Sequence, residues 1–202
     1  MTEPVADRPR ATGIVLAGGR SSRFGSDKLA AEIDGRSLLE LAVESVVAVA
    51  TDVLVVCAPD DERPLPTAVV PIRRVADPEP FGGPLVGLRS GLEVAAEPIV
   101  VVVGGDMPSI RPEVLGLLIR TLTLGAGNAA TVLAARGRLV PLPAALRTGA
   151  ASDQVGRLVD DGERRLRSVF DRLPTRVLEE PEWRALDPAG GTLRDVDRPE
   201  DL

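Results

Sequence analysis

Of the 24 basic residues in this 202-residue chain, 23 are arginines and only Lys28 is a lysine. A chain so tolerant of arginine keeps a lysine where a compact charge on a flexible stem does what a planar guanidinium cannot. Lys28 closes a run suited to an anion: Leu16-Ala17-Gly18-Gly19-Arg20-Ser21-Ser22-Arg23-Phe24-Gly25-Ser26-Asp27-Lys28. Gly18 and Gly19 let backbone N–H groups approach phosphate oxygens. Ser21 and Ser22 add hydroxyl donors, and Arg20, Arg23 and Lys28 bring positive charge. The run is neither a Walker A loop nor a G-x-G-x-x-G dinucleotide fingerprint. Its density of donors and cations nevertheless favours phosphate binding over an ordinary turn with solvated arginines.

Two further runs carry carboxylates. Asp106, in Val103-Gly104-Gly105-Asp106-Met107-Pro108, follows a buried apolar segment on a glycine turn, a place from which it can hold Mg²⁺ between phosphates. Near the end stands Asp195-Val196-Asp197-Arg198-Pro199-Glu200-Asp201-Leu202. Strand-like alternation would put Asp195 and Asp197 on one side, fit for a shared cation. Alternatively, Asp197 and Glu200 around Pro199 make a capping box, and both readings stand at this point.

The chain has no histidine, no tyrosine and a single cysteine, Cys57. That removes His-based triads, Cys–His dyads and the usual zinc sites, leaving carboxylates, hydroxyls, Arg, Lys and a hard metal ion. A net charge of −6 argues against a nucleic-acid partner. There is no apolar run of membrane-spanning length and no signal peptide, and Cys57 cannot form an internal disulfide, so a cytoplasmic protein is expected.

The elements that must position these residues follow from punctuation and periodicity. Residues 1–10 read as a disordered leader and 11–202 as one domain. Buried strands are expected at 12–17, 52–58, about 68–75 and 99–103. Helices are expected after Ser37, which with Glu40 three residues on makes a capping-box pattern, from Gly83 through Ala96, and at 111–123. In the second half we expect strands near 129–135 and 138–142, joined by a turn at Arg136-Gly137-Arg138. Helices near 151–161 and 163–172 and a strand near 174–179 follow, with 181–192 an extended surface connection. Val/Ile runs alternating with helices predict an α/β fold: a three-layer, doubly wound, mostly parallel Rossmann-like sheet with a small antiparallel excursion in the second half. In such sheets ligands sit at the carboxyl ends of the strands, where the glycine turns at 18–25, 82–83 and 104–105 all fall. The basic run Arg164, Arg165 and Arg167 reads as a solvated face.

In these motifs and their order the chain resembles the nucleotidyltransferase superfamily, and more closely the molybdenum cofactor guanylyltransferases. The residues are LAGGRSSRFGSDK, Asp77 before Gly83-Pro84-Leu85-Val86-Gly87, Asp106-Met107-Pro108, Pro141 to Arg147, Gly162 to Leu166 and the tail DVDRPEDL. The resemblance implies that Gly18, Gly19 and Lys28 contact a triphosphate, with Arg20 and Ser21 beside it, and that Arg23 touches its β- and γ-phosphates. It implies that Asp106 binds Mg²⁺ and that Leu16 and Ala17 lie against the base, while Asp197 stays a second candidate metal ligand from the reading of the tail. Asp77 and Gly83 would also border the nucleotide, the Asp77 carboxylate accepting from guanine N1–H and N2–H₂. The implied reaction is transfer of GMP from GTP to the phosphate of molybdenum-bound molybdopterin, catalysed by Arg23, Lys28 and Asp106. Transient contact with other cofactor-biosynthesis proteins is a further expectation. Alternatives are a cytidylyltransferase on the same cofactor, a guanylyltransferase for another small phosphorylated acceptor, and a non-catalytic GTP-binding regulatory module. The chain departs from the family pattern at Pro59, where Asn is frequent, at Val140, where His is common, and at Asp195, Asp197 and Arg198 in the tail.

Overall fold

The computed structural model describes residues 10–18, 27–79 and 82–202. Nine of the expected leader's ten residues therefore lie outside the described ones; the tenth, Arg10, pairs with Glu97 at 3.0 Å.

Apolar runs long enough to be covered on both faces become the centre of the sheet. β1 (Ala11–Leu16) opens the chain, and a two-stranded ribbon follows, β2 (Glu32–Ile33) and β3 (Arg36–Ser37). Helix α1 (Leu38–Val47) begins at the capping box expected for Ser37 and Glu40: the Ser37 hydroxyl accepts from the Glu40 amide, and the Glu40 carboxylate accepts from that of Ser37. Then come β4 (Asp52–Cys57), β5 (Ile72–Ala76), α2 (Pro84–Val94), β6 (Ile99–Gly104) and α3 (Pro112–Leu124). The second half holds β7 (Ala130–Ala135), β8 (Arg138–Arg147), α4 (Thr148–Asp160), α5 (Arg167–Phe170), β9 (Thr175–Leu178) and α6 (Glu180–Trp183).

Seven strands form one sheet in the order β5-β4-β1-β6-β8-β7-β9. All neighbours run parallel except β8, which is antiparallel to both β6 and β7. Strand alternation splits the core in two. Val15, Val53, Val55, Val101 and Val103 face α1 and α3, whereas Ile14, Leu54, Val56, Val100 and Val102 face α2, α4 and α5. This is the predicted three-layer Rossmann-like fold, with β8 and the β2–β3 ribbon as its antiparallel parts. Gly13 shows how closely α1 is seated: a Cβ there would lie 2.1 Å from Val46 Cγ1.

The structure corrects several expected boundaries. The strand expected at 138–142 runs on to Arg147 despite Pro141 and Pro143. Its register against β7 slips there, with Leu133 opposite Val140 but Val132 opposite Ala144. The slip removes Pro141–Pro143 from the ladder, so their missing donors cost nothing. The third strand starts at Ile72 rather than near residue 68, and the helix expected at 163–172 is confined to Arg167–Phe170. Residues 181–192 are not an extended connection. They hold most of α6, whose Trp183 is fully buried and donates from Nε1 to the Ala134 carbonyl at 3.0 Å. No strand contains Asp195 or Asp197.

Candidate active site

Four neighbouring parallel strands end together, and the hydrogen-bond ladder continues one step past β5, β1 and β6. The Asp77 amide donates to the Cys57 carbonyl at 2.8 Å, Ala17 to Val56 at 2.7 Å, and Gly105 to Leu16 at 3.0 Å. The turns carrying Asp77, Ala17-Gly18 and Gly105-Asp106 thus stand side by side along one sheet edge, about 4.8 Å apart per strand.

Onto this edge Lys28 brings its ammonium. Asp27 caps a short 3₁₀ turn, Lys28–Ala30, by accepting from the Leu29 amide at 3.2 Å, and Leu29 is buried beneath it. Lys28 Nζ then donates to Asp106 Oδ2 at 2.9 Å and to Asp197 Oδ1 at 2.8 Å. Its side chain is only 13% exposed, against 32% for Asp106 and 54% for Asp197. Burial alone would lower the lysine pKa, but the bonds from Asp197 and Asp106 outweigh it and hold the ammonium above its ordinary value. Gly104 makes room for this arrangement, since a Cβ there would lie 2.5 Å from Asp106 Oδ1. The last turn is anchored by the Val196 amide on the Asp106 carbonyl, 3.0 Å. Asp195 keeps exposed surface, yet partial burial of its carboxyl and then the charges of Asp197 and Asp106 push its pKa up.

The two readings of the tail now separate. Asp201 Oδ2, not Asp197, makes the local cap, accepting from the amides of Arg198 at 2.8 Å and Asp197 at 3.0 Å. The Asp197–Glu200 capping box is therefore overturned, and the Asp197 carboxylate turns to Lys28.

Asp77 is buried, and its Oδ1 accepts from the Glu79 amide at 3.0 Å. Burial pushes its pKa up, and the Glu79 charge adds to the rise. Gly83 opens α2 as its N-cap and packs on Arg164, whose carbonyl accepts from the Leu85 amide at 3.3 Å. The 164–167 arginines are largely engaged in surface pairs, Arg164 with Glu79 and Arg165 with Glu163. Gly19, Arg20, Ser21 and Arg23 lie outside the described residues.

Sequence reasoning missed Arg63. Its Nη2 donates to the Ala17 carbonyl at 3.0 Å and its Nη1 to Asp27 Oδ1 at 3.4 Å, so it touches both described flanks of the glycine run. The only signal was a charged stretch, Asp60-Asp61-Glu62-Arg63, placed just after a buried strand.

Two carboxylate oxygens that converge on one cation are the hard donors Mg²⁺ takes, and Mg²⁺ commonly completes its shell with water and substrate phosphates. Asp106 and Asp197 fit that role. Among the described residues no group of three or more His, Cys, Asp or Glu side chains is placed to hold a metal ion, so phosphates and water would have to supply the other ligands.

The MobA-like NTP transferase domain matches residues 13–177, most of the chain. The chain belongs to this family. Among curated MobA-like relatives, a probable molybdenum cofactor guanylyltransferase from Chloroflexus aggregans is 36% identical over 195 residues, covering 95% of this chain and 91% of the relative. One from Mycolicibacterium paratuberculosis is 35% identical over 187 residues, covering 90% and 91%. The fold is shared with molybdopterin-guanine dinucleotide biosynthesis protein A of Archaeoglobus fulgidus, at TM-score 0.76 and 22% identity over 94% of each chain. It is also shared with 4-diphosphocytidyl-2C-methyl-D-erythritolsynthase of Anaerococcus prevotii, at TM-score 0.69 and 16% identity, covering 98% and 94%. These two proteins and this chain thus share one fold. Among the described residues no helix is long and apolar enough to cross a membrane.

Proposed function

We propose that this nucleotidyltransferase moves GMP from GTP to the phosphate of molybdenum-bound molybdopterin and releases pyrophosphate. The observation that carries the reading is the meeting of three distant segments on one ammonium, Lys28 between Asp106 and Asp197, at the ligand-binding edge of the sheet. The guanylyltransferase relatives support the choice of acceptor and base.

The acceptor phosphate attacks the α-phosphorus of GTP in line, and pyrophosphate departs. The nucleophile is already an anion at neutral pH, so the chain needs no general base, which suits a protein without histidine. Positioning and charge do the work. Leu16, Ala17 and Gly18 offer backbone to the base and phosphates, with Gly19, Arg20 and Ser21 continuing the cradle in sequence. Lys28 and Arg23 balance the negative charge that grows on the leaving pyrophosphate. Asp106 and Asp197 would hold Mg²⁺, which when bound supplies Lewis-acid stabilisation of the phosphate oxygens. Asp77 keeps lone pairs beyond those used by the Glu79 amide and accepts from guanine N1–H and N2–H₂. Cytosine presents no such donor pair.

Isothermal titration with GTP, CTP and ATP, each with and without Mg²⁺, tests the reading. Selective Mg²⁺-dependent GTP binding that vanishes in Lys28→Ala is expected, and Lys28→Ala or Asp106→Ala should lower turnover by about 10²–10³-fold. A turnover loss below about threefold would strip both residues of a catalytic role. Preference for CTP would keep the mechanism and change the nucleotide. GTP binding with no pyrophosphate release on any acceptor would make the protein a regulatory module.

A further inference from the structure

Arg63 lies in the connection between β4 and β5, outside every motif that suggested the function, yet its guanidinium is the hub of a dense network. Asp61, whose side chain is only 7% exposed, accepts from Arg63 Nε through both carboxylate oxygens, at 3.0 and 2.9 Å, and from Nη2. Asp61 also accepts the Arg63 backbone amide at 2.9 Å, while Arg74 on β5 donates to the Arg63 carbonyl. The side chain is therefore braced before it reaches outward. What it reaches are the Ala17 carbonyl and Asp27 Oδ1. These residues flank the glycine run, and Asp27 Oδ1 is the oxygen that caps the turn of Lys28.

Each contact has a geometric consequence. Ala17 and Gly18 share a trans peptide plane, in which C=O and N–H point in opposite directions. Holding the Ala17 carbonyl on one side aims the Gly18 N–H to the other. Holding Asp27 fixes the cap of the turn from which Lys28 extends. One planar group thus sets both the direction of a phosphate-facing amide and the origin of the catalytic ammonium.

We infer that Arg63 is a positioning residue that holds Ala17-Gly18 and Asp27-Lys28, the two described flanks of the glycine run, in a fixed relation to each other. The inference rests on the nucleotidyltransferase reading above and adds to it a residue that touches neither substrate. It also fixes the chemistry at this position. A lysine would keep the charge but lose the planar fork that spans two acceptors.

The test uses Arg63→Ala, Arg63→Lys and Asp61→Asn in the full chain, with thermal melting to follow folding. Two readouts are compared with wild type: amide hydrogen exchange at Gly18 and Leu29–Ala31 without ligand, and GTP affinity with Mg²⁺. Faster exchange and affinity about tenfold or more weaker are expected in both Arg63 variants, with Asp61→Asn intermediate. Recovery by Arg63→Lys would show that only charge matters and overturn the bridge. So would unchanged exchange, or affinity within twofold of wild type in Arg63→Ala. If Arg63→Ala melts too early to measure, Asp61→Asn and Arg63→Lys carry the same comparison. Failure of wild type to bind any triphosphate would instead refute the functional reading, and the exchange experiment would still report on the bridge.

Discussion

Asp77 is a carboxylate whose environment opposes its charge. Burial first, and the Glu79 charge second, raise its pKa. If it reads guanine through two accepted hydrogen bonds, it must be ionised when GTP binds. Protonation replaces an acceptor by a donor facing guanine's own donors. GTP affinity should therefore fall as pH drops through the raised pKa, at a less acidic pH than an ordinary aspartate would impose. Asp77→Asn should lose this pH dependence together with about 1–3 kcal/mol of the discrimination for guanine over other bases. Titrations with GTP and ATP across the mildly acidic range check both statements, and a variant that keeps wild-type selectivity would remove Asp77 from base recognition. At this scale the sequence was legible where a residue's type was unusual for its surroundings, as with Lys28. It was illegible where the function is relayed. Nothing in Asp60–Arg63 distinguishes a braced guanidinium from a solvated loop, because the Ala17 carbonyl lies 46 positions away.

The elements that were legible are those whose side chains answer to local rules. β1, β4 and β6 are Val/Ile-rich runs ending at turns, and α1 starts at a capping box that the structure reproduces. The elements that misled are governed by tertiary partners. The strand expected to end near residue 142 runs on through Pro143, because a register slip against β7 lets β8 pass the prolines. α6 has only one turn and no periodicity, and exists because Trp183 fills the core beside β7. Close seating of one element on another also gives a prediction. With its added Cβ 2.1 Å from Val46 Cγ1, Gly13→Ala must push α1 away from β1. Overpacking of this kind costs about 1–3 kcal/mol, measurable by urea unfolding. Stability equal to wild type would mean that α1 shifts freely. Glycines of this kind look like turn residues in a sequence and are packing residues in the fold.

Across the whole molecule, the segment after β9 is stitched back over the α3 face rather than left loose. Asp187 is almost fully buried and organises it, accepting from the amides of Gly190 at 3.0 Å, Gly191 at 3.2 Å and Thr192 at 2.7 Å. The Thr192 hydroxyl in turn accepts from the Arg111 amide at 3.1 Å, where α3 begins. Burial alone would raise the Asp187 pKa, but these amides, with Thr192 foremost, hold it below the ordinary value of 3.8. A carboxyl with a depressed folded pKa contributes stability that is fully present above its unfolded value and disappears as pH falls through the folded one. Unfolding free energy should therefore decline in the acid range below about pH 4 partly through this group. Asp187→Asn should cost about 1–3 kcal/mol at neutral pH and show a flatter acid limb. Denaturant curves at several pH values decide this, and parallel curves for the two proteins would assign the acid sensitivity elsewhere.

The bond between Lys28 and Asp197 joins positions 169 residues apart. On a ribosome adding about 5–20 residues per second, Lys28 exists for roughly ten to thirty seconds before its second partner is made. The strands from β1 to β6 can pair in that interval and present a finished-looking edge. A chain released before residue 197 would lack the second carboxylate that Lys28 holds. The contact that completes the Lys28 cluster thus forms only long after the ammonium itself is made.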